Sequence, residues 1–318
     1  MKKWKLVFLM VAVAITVVLY IFIPNRIVVH ETVFIPISKA AIFRVLIEND
    51  KWNKGWSGTN EAITVENKGA AVTLNNNIYS LIDRTYGSLT ISIINKNDTI
   101  GTSSLNAVSV AKDSVQLNWS AAIPTSYNPI KRLKIYQQAK NIEKDFSAML
   151  DKMKTYFSNN DHIYGIKFYQ EQVADSTLVS TFDSSKGYPK VEFIYSLIDK
   201  LNKYVASNNA ASTAPPMLNI FTKDSINYIT KVALPVNKKL PSSGNISYKW
   251  MLQGGNILVT DVKGGGYQIA NALKQLEYYM KDYGRNSPAI PFLSLVTNRL
   301  QQKDSTQWIT RIYYPVME

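Results

Sequence analysis

The 318-residue chain has no cysteine. Disulfides, thiol nucleophiles and thiolate metal sites are thereby excluded. Histidine is nearly absent too: His30 and His162 are the two present, too few for a histidine-rich metal cluster. Neither lies beside a serine motif that would make a nucleophile–base pair. Acidic residues are in deficit, 23 Asp and Glu against 36 Lys and Arg, for a net charge of +13. That excess is scattered. Without a compact basic tract interleaved with aromatics, and without a helix-turn-helix pattern, nucleic acid is not an expected partner. A solvated basic surface is the simplest reading, with attraction to an anionic membrane as the alternative. Glu48, Asp50 and Asp83 lack the spacing of a catalytic pair. Gly264-Gly265-Gly266 lacks the Lys-Ser/Thr of a phosphate-binding loop and reads as a flexible turn from strand to helix. No catalytic residue, metal or cofactor is therefore assigned.

What is present starts with an uncharged run, Leu6 to Ile23, preceded by Lys2, Lys3 and Lys5. At a rise of ~1.5 Å per residue it reaches ~27 Å, roughly a hydrocarbon core. A cleaved signal peptide would show a shorter apolar region and a small-residue cleavage site. Pro24, Asn25 and Arg26 follow instead. An uncleaved single-pass anchor is expected, its amino terminus cytoplasmic by the positive-inside rule. Everything after it then faces the far side of the inner membrane, the periplasm in a two-membrane bacterium. The chain divides into an anchor over 1–25, a first domain over 26–160 and a second over 162–318.

The first domain reads as a strand over 26–35, a helix over 39–48 capped by Ser38, and a turn containing Trp52 and Trp56. Strand-like runs follow at 62–66, 71–74, 89–94 and 114–122. A long helix over 133–157 closes the domain, with Leu133, Tyr136, Phe146, Met149, Leu150, Met153 and Phe157 mostly at three- or four-residue steps. This is an α+β order. With Val29-His30-Glu31-Thr32-Val33-Phe34-Ile35-Pro36 followed by a helix and then Trp52 and Trp56, it resembles the START-related superfamily of polyketide cyclases and lipid-transfer proteins. The resemblance implies a helix-grip sheet around a long terminal helix, with an apolar pocket beneath it. Trp56, Tyr79, Trp119 and Tyr136 are the candidate lining residues, with plain core packing as the competing role.

The second domain reads as one unit written twice. Lys223-Asp224-Ser225 and Tyr228 to Val236 match Lys303-Asp304-Ser305 and Trp308 to Val316, each 80 positions on. Gly187-Tyr188 matches Gly266-Tyr267 at an offset of 79. Each copy, about 171–236 and 252–316, runs strand, helix, strand, strand. The helices are expected over 190–205 and 268–283, with apolar faces that include Val191, Ile194, Leu201 and Ile269, Leu276, Met280. Such a repeat implies two halves about a pseudo-two-fold axis, with a ligand cleft at their seam.

Gly266-Tyr267 before the helix, and the final strand ending in Tyr314-Pro315-Val316, resemble the gyrase-inhibitor-like family and the effector-binding domains of AraC-type regulators. Those proteins bind amphipathic, often cationic, aromatic molecules, commonly through a glutamate in the last strand. Here Arg311 falls at that position and Lys231 at its equivalent in the first copy. A cation there disfavours cationic ligands and favours anionic or neutral ones. If buried, Arg311 must meet a carboxylate, a ligand anion or water; an exposed strand face with ordinary cations is the alternative. Tyr267, Tyr188, Trp250 and Trp308 are the candidate aromatic contacts, with Tyr278 and Tyr279 nearby in sequence. The reading is a membrane-anchored protein that senses, sequesters or transfers an amphipathic or lipid-like molecule. A hydrolase or cyclase using one of the two pockets is the alternative. A regulator-type effector-binding protein is the third possibility.

Overall fold

The computed structural model describes residues 2–47, 71–85, 87–96, 98–173, 177–224, 226–251 and 254–317. Trp52, Trp56, Glu48, Asp50 and the strand expected over 62–66 lie outside them. The fold is α+β, with two antiparallel sheets and six α-helices among the described residues. The chain forms two compact units, Met1–Ile163 and Tyr164–Glu318.

The first unit opens with α1 (Lys2–Phe22), long and apolar enough to cross a membrane. Next come β1 (Arg26–Ile35) and α2 (Lys39–Ile47), where the Ser38 hydroxyl accepts from the Ala41 N–H. Five further strands follow: β2 (Ala71–Leu74), β3 (Asn77–Thr85), β4 (Ser88–Asn95), β5 (Asp98–Ala111) and β6 (Ser114–Pro124). The sheet order is β1-β6-β5-β4-β3-β2. Asn75 and Asn76, with φ of 48° and 77°, make the two-residue loop between β2 and β3. Positive φ at both centres suits the twist of a hairpin, and asparagine tolerates it. The long helix α3 (Pro129–Phe157) starts four residues before the expected Leu133. Asn128 caps it by accepting from the N–H groups of Ile130 and Lys131, and Pro129 occupies the first turn, where no N–H is needed. A short helix, α4 (Asn160–Tyr164), follows.

The second unit contains β7 (Tyr169–Gln172), β8 (Thr177–Lys186), α5 (Val191–Ser207), β9 (Met217–Thr222) and β10 (Asn227–Val236). It continues with β11 (Ser247–Trp250), β12 (Asn256–Lys263), α6 (Gly266–Asp282), β13 (Phe292–Leu295) and β14 (Ile309–Pro315). One sheet joins them in the order β11-β8-β10-β9-β13-β14-β12-β7. Outward from the central β9–β13 pair, the order β9, β10, β8 on one side answers β13, β14, β12 on the other. Registers correspond as well. Lys231 faces Phe182 and Asn219, while Arg311 faces Asp261 and Ser294. Strand alternation gives Val232, Leu218 and Ile312, all buried, and the half-buried Leu293 to the face that packs on α5 and α6. Lys231, Met217, Asn219, Phe292 and Tyr313 go to the other face, turned away from α5 and α6 and, among the described residues of this unit, free of helix.

Candidate functional site

The helix-free face bears a cavity of about 740 Å³. Its floor is Met217 and Asn219 from β9, Lys231 and Ala233 from β10, and Phe292 from β13. Trp250, Met251 and residues 254–257 form one wall; residues 288–290 and 315–317 form others. Mutual backbone hydrogen bonds between Val173 and the Gly254–Gly255 turn, 2.8 and 3.0 Å, fix the first wall. Asn219 Nδ2 donates to the Pro291 carbonyl at 2.8 Å, tying the second wall to the floor. Ser287 Oγ lies 2.7 Å from the carbonyls of Ala289 and Pro315, which holds the same turn against the end of β14. Phe292 and Tyr313 stack at 5.0 Å. A second hollow of about 610 Å³ shares Val173, Met217, Met251, Ile257 and Phe292 with the first and is also lined by Glu171. The volumes and the mainly apolar walls suit a small organic ligand. Among the described residues Lys231 is the one ionisable side chain in the wall of the larger cavity.

Of the second-domain candidates, Lys231 and Trp250 line this cavity, and Trp250 is 60% exposed. Arg311 is not part of the wall. It makes a two-pronged pair with Asp261, Nε to Oδ1 at 2.7 Å and Nη2 to Oδ2 at 2.9 Å. The pair holds the Asp261 carboxyl below its usual range and raises the Arg311 guanidinium. Trp308 donates through Nε1 to the Gln302 carbonyl, and its ring lies 4.7 Å from the Arg299 guanidinium. Tyr267, in the first turn of α6, is 82% exposed. Tyr188 is also exposed and meets the Tyr228 ring edge-on at 5.7 Å. Tyr279 packs with Tyr164, Phe168 and Tyr283.

In the first unit, Trp119 and Tyr79 are fully buried. Trp119 stacks on Phe146 at 4.2 Å and donates to Ser103 Oγ at 3.0 Å. Tyr79 meets both rings and donates to Asp145 Oδ2 at 2.6 Å. Tyr136 is half-buried on α3. Trp56 lies outside the described residues.

Asp145 and Arg299 are among the buried polar groups that were not foreseen. Asp145 is fully buried and accepts from Tyr79, Asn77 and Asn75. Its signal was an acid inside the apolar stripe of Ile142, Phe146 and Met149 on α3. Burial and the Asp145 carboxylate push the Tyr79 phenol far above its ordinary value. Arg299 is buried against Trp308 and donates to Thr310 Oγ1 at 2.8 Å; burial lowers its pKa. Nothing in its local sequence marks it.

No family model matches the chain, and no curated protein matches it by sequence. Among solved structures it is similar to the EcmrR C-terminal domain at 18% identity and a TM-score of 0.41, over 48% of this chain and 98% of that one. It is similar to a hydrolase from Listeria innocua at 8% identity and a TM-score of 0.36, over 48% and 92% of the two chains. A third likeness is to the Aha1 dimer from Colwellia psychrerythraea, at 11% identity and a TM-score of 0.32, over 42% and 96%. These likenesses assign neither ligand nor reaction.

Proposed function

We propose that the chain is a membrane-anchored binding protein that holds an amphipathic or lipid-like small molecule on the helix-free face of its second unit. The observation that carries this reading is the mainly apolar 740 Å³ cavity, already formed, with one cationic side chain in its wall. The matching strand orders and registers on either side of the β9–β13 pair support reading the unit as two related halves about a pseudo-two-fold axis. The first unit, whose described residues include a six-stranded sheet and the long helix α3, is read as a START-related helix-grip module. In this reading α1 is the anchor, its lysines stay in the cytoplasm, and both units face the periplasm.

Native mass spectrometry of the full chain in lipid nanodiscs tests the reading. The expected result is one retained small-molecule mass per chain, lost when Trp250 is changed to alanine. Absence of any retained mass, together with turnover of an ester or amide library, would replace the binding protein with an enzyme.

A further inference from the structure

Lys231 and Arg311 occupy corresponding positions in the two halves, 80 residues apart and at the same place in the strand register. Their surroundings differ in one decisive way. Across the strand from Arg311 stands Asp261, which neutralises it through two hydrogen bonds. Across the strand from Lys231 stands Phe182. Among the described residues no carboxylate pairs with Lys231, and the wall around it contains no acid. Glu171 belongs to the adjoining hollow, not to this wall.

In the open cavity water solvates the Lys231 ammonium. An apolar ligand that fills the cavity displaces that water. Leaving the ammonium uncompensated under such a ligand carries a desolvation penalty, and a ligand cation placed there adds repulsion. A ligand anion removes both problems with a charge-assisted hydrogen bond. The remaining walls, Met217, Phe292, Trp250 and Ile290 among them, ask for an apolar body.

We infer that the cavity selects an apolar molecule bearing one anionic head, which Lys231 receives. The inference rests on the proposed binding role of this cavity and names its ligand class. Lys231 is the discriminating residue, and Arg311, already neutralised, is not.

The test is titration calorimetry of the full chain in phosphatidylcholine nanodiscs, with empty nanodiscs as blank. Four probes share one ring system: naphthalene-2-carboxylate, 2-naphthyl phosphate, naphthalene-2-carboxamide and trimethyl(2-naphthyl)ammonium. The anions are expected to bind about tenfold tighter than the carboxamide, the difference between a charged and a neutral hydrogen bond. The order of carboxylate and phosphate identifies the head group. Lys231→Met is expected to erase the preference while leaving carboxamide binding within about twofold, and Lys231→Arg to keep it. Equal affinity for carboxylate and carboxamide, tighter binding of the ammonium, or a preference that survives Lys231→Met would each overturn the ligand class while sparing the cavity. Failure of all four probes to bind would overturn the cavity reading itself, and this inference with it.

Discussion

The buried guanidinium of Arg132 donates to the backbone carbonyl of Ile23 through both Nε and Nη2. Ile23 immediately follows α1, whose last carbonyls carry the negative end of the helix dipole. Nη2 also reaches Asn25 Oδ1 at 3.0 Å, and the guanidinium lies 4.5 Å from the Tyr20 ring centre. Thr125 adds two bonds, from its hydroxyl to the Pro24 carbonyl and from its N–H to the Asn25 carbonyl, both 2.9 Å. The apolar helix is thus clamped at its exit to the start of α3.

That clamp predicts the behaviour of Arg132→Met. The variant leaves the Ile23 carbonyl and Asn25 without their charged donor, a loss of about 1.5–3 kcal/mol. Limited proteolysis is expected to show new cleavage over 23–27 and thermal melting to fall by several degrees. An unchanged digestion pattern would show that the remaining bonds, those of Thr125 and that from the Tyr20 hydroxyl to the Tyr127 carbonyl, hold the junction without Arg132.

The Asp145 centre makes a second prediction. Asp145→Ala removes the acceptor from three donors, Asn75, Asn77 and Tyr79, of which Asn77 and Tyr79 are buried. A loss on the order of 3 kcal/mol or more follows. The raised Tyr79 pKa sets the alkaline behaviour, with burial the larger cause and Asp145 the next. Its contribution is complete below the ordinary tyrosine value of about 10. Above that value the unfolded chain ionises while the folded chain keeps its proton, so stability falls as pH rises. Denaturant melts between about pH 8 and pH 11 should show a shallower decline for Tyr79→Phe than for the native chain.

The Arg311–Asp261 pair is half-exposed, with side-chain exposures of 37% and 46%, so its contribution is that of a surface ion pair. Arg311→Ala is expected to cost no more than about 1 kcal/mol. Because Arg311 lowers the Asp261 pKa, the pair's contribution is present above the ordinary carboxylate value of about 4 and is lost as pH falls through the lower folded value. Anionic probe affinity should be unchanged in Arg311→Ala and reduced in Lys231→Met. Reversal of those two outcomes would make Arg311 the receiving residue in place of Lys231.

These contrasts show what was legible in the sequence. Alternation over 228–236 and 308–316 placed the two closing strands to within a residue, because both pack an apolar face on a helix. The α+β order followed from the same periodicities. The strands β7 and β11, four residues each, were not foreseen, since so short a segment carries almost no period. β3 and β5 were missed for another reason: Asn77, Ser80, Asp83 and Thr85 in β3, and Thr99, Thr102, Ser103, Ser104 and Asn106 in β5, interrupt the apolar pattern and mimic turns. The cavity walls over 254–255 and 288–290 are irregular and have no pattern to read. Whether Lys231 or Arg311 is neutralised depends on the cross-strand neighbour, Phe182 or Asp261, and hence on a register that spacing alone does not fix.

The glycine triplet before α6 supplies a last, internally controlled prediction. Gly264 has a φ of +128°, a region that side chains with a Cβ rarely enter. A Cβ there would stand 2.8 Å from Cγ and Cδ of Gln268, while the Gly264 N–H donates to the Trp308 carbonyl at 2.8 Å. The turn therefore joins β12 to α6 while staying bonded to the residue that precedes β14. Gly266 begins the helix itself, and a Cβ there meets nothing within 4 Å. Gly264→Ala is accordingly expected to destabilise the second unit by about 1–3 kcal/mol. Gly266→Ala should be neutral or stabilising by up to about 1 kcal/mol, since alanine is the better helix former. Thermal melting of the two variants separates the effects. Added inorganic phosphate should leave both curves unmoved, because the triplet acts as a turn; a phosphate-dependent rise abolished by Gly264→Ala would instead make it an anion cradle.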